Sequence, residues 1–266
     1  MFFLGFILLA AIWGSSFLFL RIAINDFGPV LLANLRVVFA FLSLLPFLLL
    51  LNKKKIQDKK FVFFIFLGIL NSALPFVLFG YSATVLPAGY LAVINSFVPV
   101  WSLFLSVLFL GESIRMKTFF SLLLGVLGVM VVVGFGPVSI NSKEIIAILF
   151  AFFATFCYAI SGVLTKKYCQ NISGLLLSLY CLGSASIVLF PFSFVDLHFA
   201  KISSVGIISV LMLGILCSGV ALLLYFNLLK TVGPVKTTTV TFVVPAFGTM
   251  WGTIFLNELF TISMAI

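Results

Sequence analysis

The chain has 266 residues, 64% hydrophobic and 8% charged, with 34 phenylalanines. So few charges cannot screen that much apolar surface from water, which excludes a soluble globular fold and places the chain in a lipid bilayer. The net charge of +9 would point to nucleic acid only if the charges formed a patch; they are spread between apolar runs, so no nucleic-acid partner is expected.

Charged residues divide the chain into candidate membrane spans. Residues 1–20 carry none, and this run lacks both a basic flank and a small-residue cleavage site, so it reads as a retained helix rather than a signal peptide. Residues 27–52 carry only Arg36, and 61–111 carry none, enough for two crossings of about 20 residues each. The runs 118–142, 145–165, 168–195, 202–229 and 237–257 follow, each free of charge. That makes nine spans, and Leu259–Ile266 stand where a tenth would begin. Continuous apolar runs, rather than ten-residue alternation, exclude a β-barrel. The fold class expected is all-α and integral to the membrane.

Lysines and arginines cluster after the even-numbered spans: Lys53, Lys54, Lys55, Lys59 and Lys60, then Arg115 and Lys117, Lys166 and Lys167, Lys230 and Lys236. Arg21, Lys143 and Lys201 alone fall on the other side, so the positive-inside rule puts the N-terminus in the cytoplasm.

In span two, Arg36 is the one charge deep inside an apolar run, at an insertion cost of roughly 2.5–3.5 kcal/mol. It is expected to snorkel outward toward Asp26, with a solute carboxylate as the sharper alternative. Span three contains Asn71 and Pro75; span four contains Asn95 and Pro99 and ends at Glu112. Along span four, Ala88, Ala92, Asn95, Pro99, Ser102 and Ser106 recur at steps of three and four, which aligns them on one helix face. Span five has Ser121, Gly125 and Gly128 on one side, a small-residue face suited to packing within the monomer or to a homodimer contact. Span six repeats the stripe with Ala147, Ala151, Ala154, Tyr158, Ser161 and Thr165, and span nine with Pro234, Thr238, Thr241, Pro245, Gly248 and Gly252, ending at Glu258.

The chain is doubled. Pro99 falls on Pro245, Glu112 on Glu258, Ser72 on Ser218 and the "LGIL" of Leu67–Leu70 on that of Leu213–Leu216, all at an offset of 146. Trp13 meets Tyr158, Ser16 meets Ser161 and Arg21 meets Lys166 at an offset of 145. Two five-helix units, 1–135 and 143–266, the second lacking most of its last helix, are expected, joined through Gly134–Ser142. Because five is odd, the second enters the membrane from the opposite face, giving an inverted repeat, the geometry of alternating access about a midplane site.

A proline within a helix withdraws one amide and frees the carbonyl four residues earlier. For Pro75, Pro99 and Pro245 those carbonyls belong to Asn71, Asn95 and Thr241. A bare carbonyl cannot face lipid, so each should face protein or a watery cavity, and all three prolines are expected to kink their helices there. Small residues of the stripes are equally suited to close helix packing, whereas Asn71, Asn95, Tyr158 and Tyr225 need polar partners. Glu112 and Glu258 close their helices and are expected to bind loop amides, with proton carriage as the alternative.

"AAIWGSSFLFLRIA" in span one, "LANLRVVFAF" in span two, and proline followed thirteen positions later by the glutamate of "LGE" or "LNE" in both halves resemble EamA-type members of the drug/metabolite transporter superfamily. The resemblance implies a ten-helix carrier of the cell (inner) membrane with both termini cytoplasmic. It also implies a central cavity walled by helices one, three, four, six, eight and nine, and small metabolites as cargo.

Other classes fit less well. The single histidine, His198, lies in a loop, and no H-E-x-x-H, G-x-S-x-G or carboxylate pair is present, so no enzyme, metal or cofactor is expected. Cys157, Cys169, Cys181 and Cys217 include no C-x-x-C pair and read as small packing residues. A channel would want a charged ring or a carbonyl filter; a scaffold would not need three freed carbonyls. The expected function is secondary transport of a small neutral or zwitterionic, amino-acid-like solute, with proton or solute counter-exchange as candidate coupling. Trp13, Ser16, Asn71, Asn95, Tyr158, Ser161, Tyr225 and Thr241 are the expected pathway.

Overall fold

A computed structural model describes residues 2–50, 61–113, 116, 120, 122–125, 127–128, 141–198 and 200–258. Eight helices in this set are long and apolar enough to cross a membrane. They are α1 (Phe2–Phe27), α2 (Pro29–Leu44), α3 (Val62–Ala83), α4 (Ala88–Leu110), α5 (Ser142–Tyr168), α6 (Gly174–Leu197), α7 (Ser204–Val232) and α8 (Pro234–Leu256). Most of the fifth apolar run, Ser121 included, and the tenth-helix expectation at 259–266 lie outside the described residues.

Several helices begin where the sequence can satisfy the first amides. Asn141 and Glu144 form a reciprocal capping box at the start of α5, the Asn141 side chain accepting from the Lys143 and Glu144 amides at 2.9 and 3.4 Å. Ser173 and Ser203 cap α6 and α7 by accepting from the Leu176 and Gly206 amides. Pro29 and Pro234, which have no amide to satisfy, stand in the first turns of α2 and α8. The doubled "LGE" and "LNE" also have a local reason. Gly111 (φ 67) and Asn257 (φ 52) take the left-handed conformation that ends a helix, and these are residues that tolerate it.

The three prolines do not kink continuous α-helices as the sequence suggests; each opens a new segment. Pro99 stands in the first turn of Val98–Leu110, after α4 breaks at Ser96–Phe97. Pro245 opens Val244–Leu256 after a 3-10 turn over Thr239–Phe242. Pro75 follows a π-helical turn, Ile69–Ala73, in which the Leu74 amide donates to the Ile69 carbonyl five residues back. Widening or tightening the turn accommodates the missing amide at lower cost than an unpaired carbonyl beside a sharp bend. In α7 a π segment, Met212–Val220, occupies the corresponding place with no proline at all.

The helices pair in a pattern that maps onto itself when α1–α4 are exchanged with α5–α8. Thus α1 packs on α8 and α7, while α5 packs on α4 and α3; α2 packs on α6 and α7, while α6 packs on α2 and α3; and α4 meets α8. Glycine sets the closest approaches. A Cβ at Gly14 would lie 2.4 Å from the Cβ of Phe247 and 3.0 Å from the Gly248 amide of α8, and a Cβ at Gly248 would lie 2.8 Å from the Cβ of Ala92. Much of the outer surface is apolar: Phe104, Phe153, Phe190, Phe192 and Phe255 are exposed, as lipid-facing side chains are. Gly125, read as part of a candidate dimer face, lies against the ring of Phe242 in the same chain.

Gly14→Leu should therefore force α1 from α8 and cost about 1–3 kcal/mol of overpacking. The measurement is thermal unfolding of purified protein in detergent. Gly5→Leu, at a position with nothing within 4 Å, should unfold at the parent temperature.

Candidate functional site

Between the helices lies a cavity of about 750 Å³ of empty space, counting its open mouth. Its walls come from α1 (Trp13, Ser16, Phe17, Leu20), α2 (Arg36), α3 (Asn71, Phe76, Phe79), α4 (Asn95, Val98), α5 (Tyr158), α7 (Cys217, Leu222, Tyr225) and α8 (Thr238, Thr241). The lining is apolar and aromatic with a few polar groups, as the linings of small-molecule sites are.

Seven of the eight residues expected to form the pathway meet here, although they are spread from position 13 to position 241. Ser161, the eighth, stands behind the wall, where its hydroxyl donates to Asn71 Oδ1 at 3.2 Å. The Asn71 amide nitrogen in turn donates to Ser72 Oγ at 3.2 Å. Both ends of the Asn71 side chain are thereby fixed, and so is its rotamer. Thr241 is turned back on its own helix, donating to the Thr238 carbonyl at 2.8 Å. Asn95 is 7% exposed and sits at the end of the first segment of α4, where Pro99 supplies no amide to its carbonyl.

Aromatic rings form the rest of the wall. Trp13 and Tyr225 face each other with centroids 5.5 Å apart, and Tyr158 stacks on Phe79 at 6.1 Å and meets Phe76 edge-on at 6.5 Å. Gly162 makes room for this arrangement, since a Cβ there would lie 2.7 Å from the Tyr225 hydroxyl. Phe17, Phe76, Phe79 and Leu222 are cavity residues that the sequence did not single out, and Cys217, read there as a packing residue, also lines the cavity. In a chain so rich in phenylalanine, no local signal separates the few that face inward.

Arg36 departs from its expected place. It does not snorkel toward Asp26, whose carboxylate instead accepts from the Ser203 hydroxyl and from the Ser203 amide at 3.3 Å. Arg36 is 8% exposed, donates from Nε to Ser218 Oγ at 2.6 Å, and lies over the Phe76 ring at 3.8 Å. A side chain from the middle of α2 reaches α7 within one hydrogen bond, so the polar partner is nearer than the membrane surface.

The small-residue stripes separate into two uses. Ala88 and Ala92 of α4 face Gly252 and Gly248 of α8 in close packing, whereas Asn95 and Thr241, farther along the same stripes, line the cavity. Glu258 binds not neighbouring loop amides but a distant helix end: its carboxylate accepts from Ala88 and Gly89 at 3.0 and 3.4 Å, at the start of α4. Arg21 approaches it to 4.0 Å and donates to the Ala83 carbonyl at the end of α3. Asp196 similarly accepts from the Val30 and Leu31 amides at the start of α2. At this end of the bundle, then, carboxylates from α1, α6 and α8 tie helix ends to one another. Glu112, the counterpart of Glu258, is exposed. The four cysteines are free and buried. Among the described residues no cluster of His, Cys, Asp and Glu could hold a metal ion.

The chain is a bundle of helices long and apolar enough to span a membrane, packed around an aromatic, polar-tipped cavity. The model of the EamA-like transporter family matches residues 1–134 and, a second time, residues 145–266. The chain belongs to this family and is a multi-pass membrane transporter. It is 22% identical over 264 residues to the uncharacterized transporter YoaV of Bacillus subtilis (strain 168), covering 98% of this chain and 90% of that one. It is also 26% identical over 260 residues to the uncharacterized transporter YvbV of the same organism, covering 96% and 84%. Protein PagO of Salmonella typhimurium is 33% identical over 116 residues, 42% of this chain. A solved crystal structure shares the fold, with a TM-score of 0.73 at 14% identity over 98% of this chain and 90% of the other.

Glu258→Ala should remove the cap from α4 and cost about 1–2 kcal/mol in thermal unfolding. Glu112→Ala, made at the exposed counterpart, should stay within about 0.5 kcal/mol of the parent.

Proposed function

We propose that the protein is a secondary transporter of small neutral or zwitterionic, amino-acid-like solutes, working by alternating access between two inverted halves, 1–135 and 143–266. The observation that carries this reading is that Asn95 and Thr241, which occupy equivalent positions in the two copies, line one cavity. A family model that matches twice in succession and a helix-pairing pattern that survives exchange of the halves support the duplication. An odd number of spans per copy then inverts one relative to the other.

The helix breaks supply the moving parts. Segments joined at Ser96–Phe97, at Thr239–Phe242 and through the π turns of α3 and α7 can tilt about the cavity without unfolding, since their backbone bonds are already rearranged there. The amide-capping carboxylates Asp26, Asp196 and Glu258 hold one end of the bundle together, while Glu112, at the other end, is exposed and makes no such contact among the described residues. That asymmetry is what a carrier closed at one face would have. With the N-terminus in the cytoplasm, as the lysine clusters indicate, the tied end faces outward from the cell (inner) membrane. Glu258, engaged as a cap, is poorly placed to carry protons, which favours counter-exchange of solutes.

The test is counterflow in proteoliposomes preloaded with members of an amino-acid and metabolite panel. A carrier gives saturable uptake stimulated by internal solute; flux that never saturates would mean a pore. Asn95→Ala should lower kcat/KM for the accepted solute by about tenfold, the loss of one buried hydrogen bond. Parent rates for every solute would remove Asn95 from the site.

A further inference from the structure

We infer that Arg36 is a carboxylate subsite, and that the solutes carried are those bearing one free carboxylate. The inference rests on the transporter reading above and makes a free carboxylate, rather than net neutrality, the required feature of its solutes.

Three observations lead to it. Arg36 is more than nine-tenths buried yet lines the cavity. Among the described residues it has no ion-pair partner, the one salt bridge being Arg21–Glu258, and no acidic side chain lines the cavity. Its fixed contacts occupy only part of the guanidinium: Nε donates to Ser218, and the face is covered by Phe76. The two terminal nitrogens remain, on an edge whose plane those two contacts define.

The chemistry follows from that geometry. A buried cation with no counter-charge is costly unless an anion completes it, and a guanidinium edge offers two parallel N–H donors spaced for the two oxygens of a carboxylate. Tyr158 and Cys217 line the same cavity, and neither is a carboxylate. Beyond this edge the walls are the rings of Trp13, Tyr225 and Phe79, suited to the apolar body of the solute; an ammonium group would find ring faces but no carboxylate. The required group is thus the carboxylate, with the ammonium accessory. The second half does not repeat the device, because Cys181 stands at the position equivalent to Arg36, so there is one anion subsite per chain.

The experiment is counterflow in the same proteoliposomes with matched pairs: L-phenylalanine against L-phenylalaninamide, L-leucine against L-leucinamide, L-alanine against L-alaninamide, and 3-phenylpropanoate against 3-phenylpropanamide. In the parent protein the carboxylate members should be preferred by about tenfold or more, the discrimination expected from a charge-assisted bidentate contact. In Arg36→Gln that ratio should fall toward one. Arg36→Lys, which keeps the charge but not the fork, should fall between. The ratio reports recognition rather than stability, because a purely structural arginine would lower the amount of folded protein and leave the preference unchanged. The parent measurement needs no variant to fold. Equal transport of acid and amide by the parent, or an undiminished preference in Arg36→Gln, would overturn the subsite while leaving a carrier. Saturable counterflow of no panel member would overturn the carrier reading itself, and the subsite with it.

Discussion

In hydrocarbon there is no water to receive a backbone carbonyl, and the architecture depends on that. A membrane helix must satisfy its own ladder or present the exception to protein or to enclosed polar space. In this chain the exceptions are placed by Pro75, Pro99 and Pro245, which withdraw amides from the middles of α3, α4 and α8. The breaks they impose all adjoin one cavity, through Asn71, Asn95 and Thr241. The polar interior is therefore a consequence of where the ladder is interrupted.

The cavity is asymmetric in charge although the scaffold is close to symmetric. Helix pairings repeat between halves, and both copies end α4 and α8 with a left-handed residue followed by glutamate. Yet the first copy supplies Trp13 and Arg36 where the second has Tyr158 and Cys181. Many helix pairings have a counterpart in the other half; divergence of a few side chains then gives the enclosed space one polarity. The glutamates diverge in use as well. Glu258 caps α4 and meets Arg21, while Glu112 is exposed.

Much of this was legible beforehand. Charge-free runs of the right length marked eight spans that the structure describes, the fifth run lying mostly outside the described residues; the offsets of 145 and 146 run parallel to the two successive matches of the family model; and the three prolines led to Asn71, Asn95 and Thr241. The prolines were read as kinks, whereas the backbone resolves each into a break, a 3-10 turn or a π turn, a choice that depends on what packs beside it. The π segment of α7 was not legible, having no proline to announce it. Phe17, Phe76 and Phe79 could not be told from the phenylalanines that face lipid, since composition and periodicity say nothing about which apolar side chain borders a hollow.

Arg36 marks the boundary between the two kinds of information. The sequence by itself determined that a charge lay deep within a span and that its burial had to be compensated, because that cost is a property of the residue and its apolar surroundings. Where the compensation comes from was decided only by the tertiary structure, which brings Ser218 from 182 positions away to Nε and sets Phe76 beneath the guanidinium. Residues far apart in the chain become partners through helix packing, and packing fixes the directions of side chains that spacing along one helix leaves open.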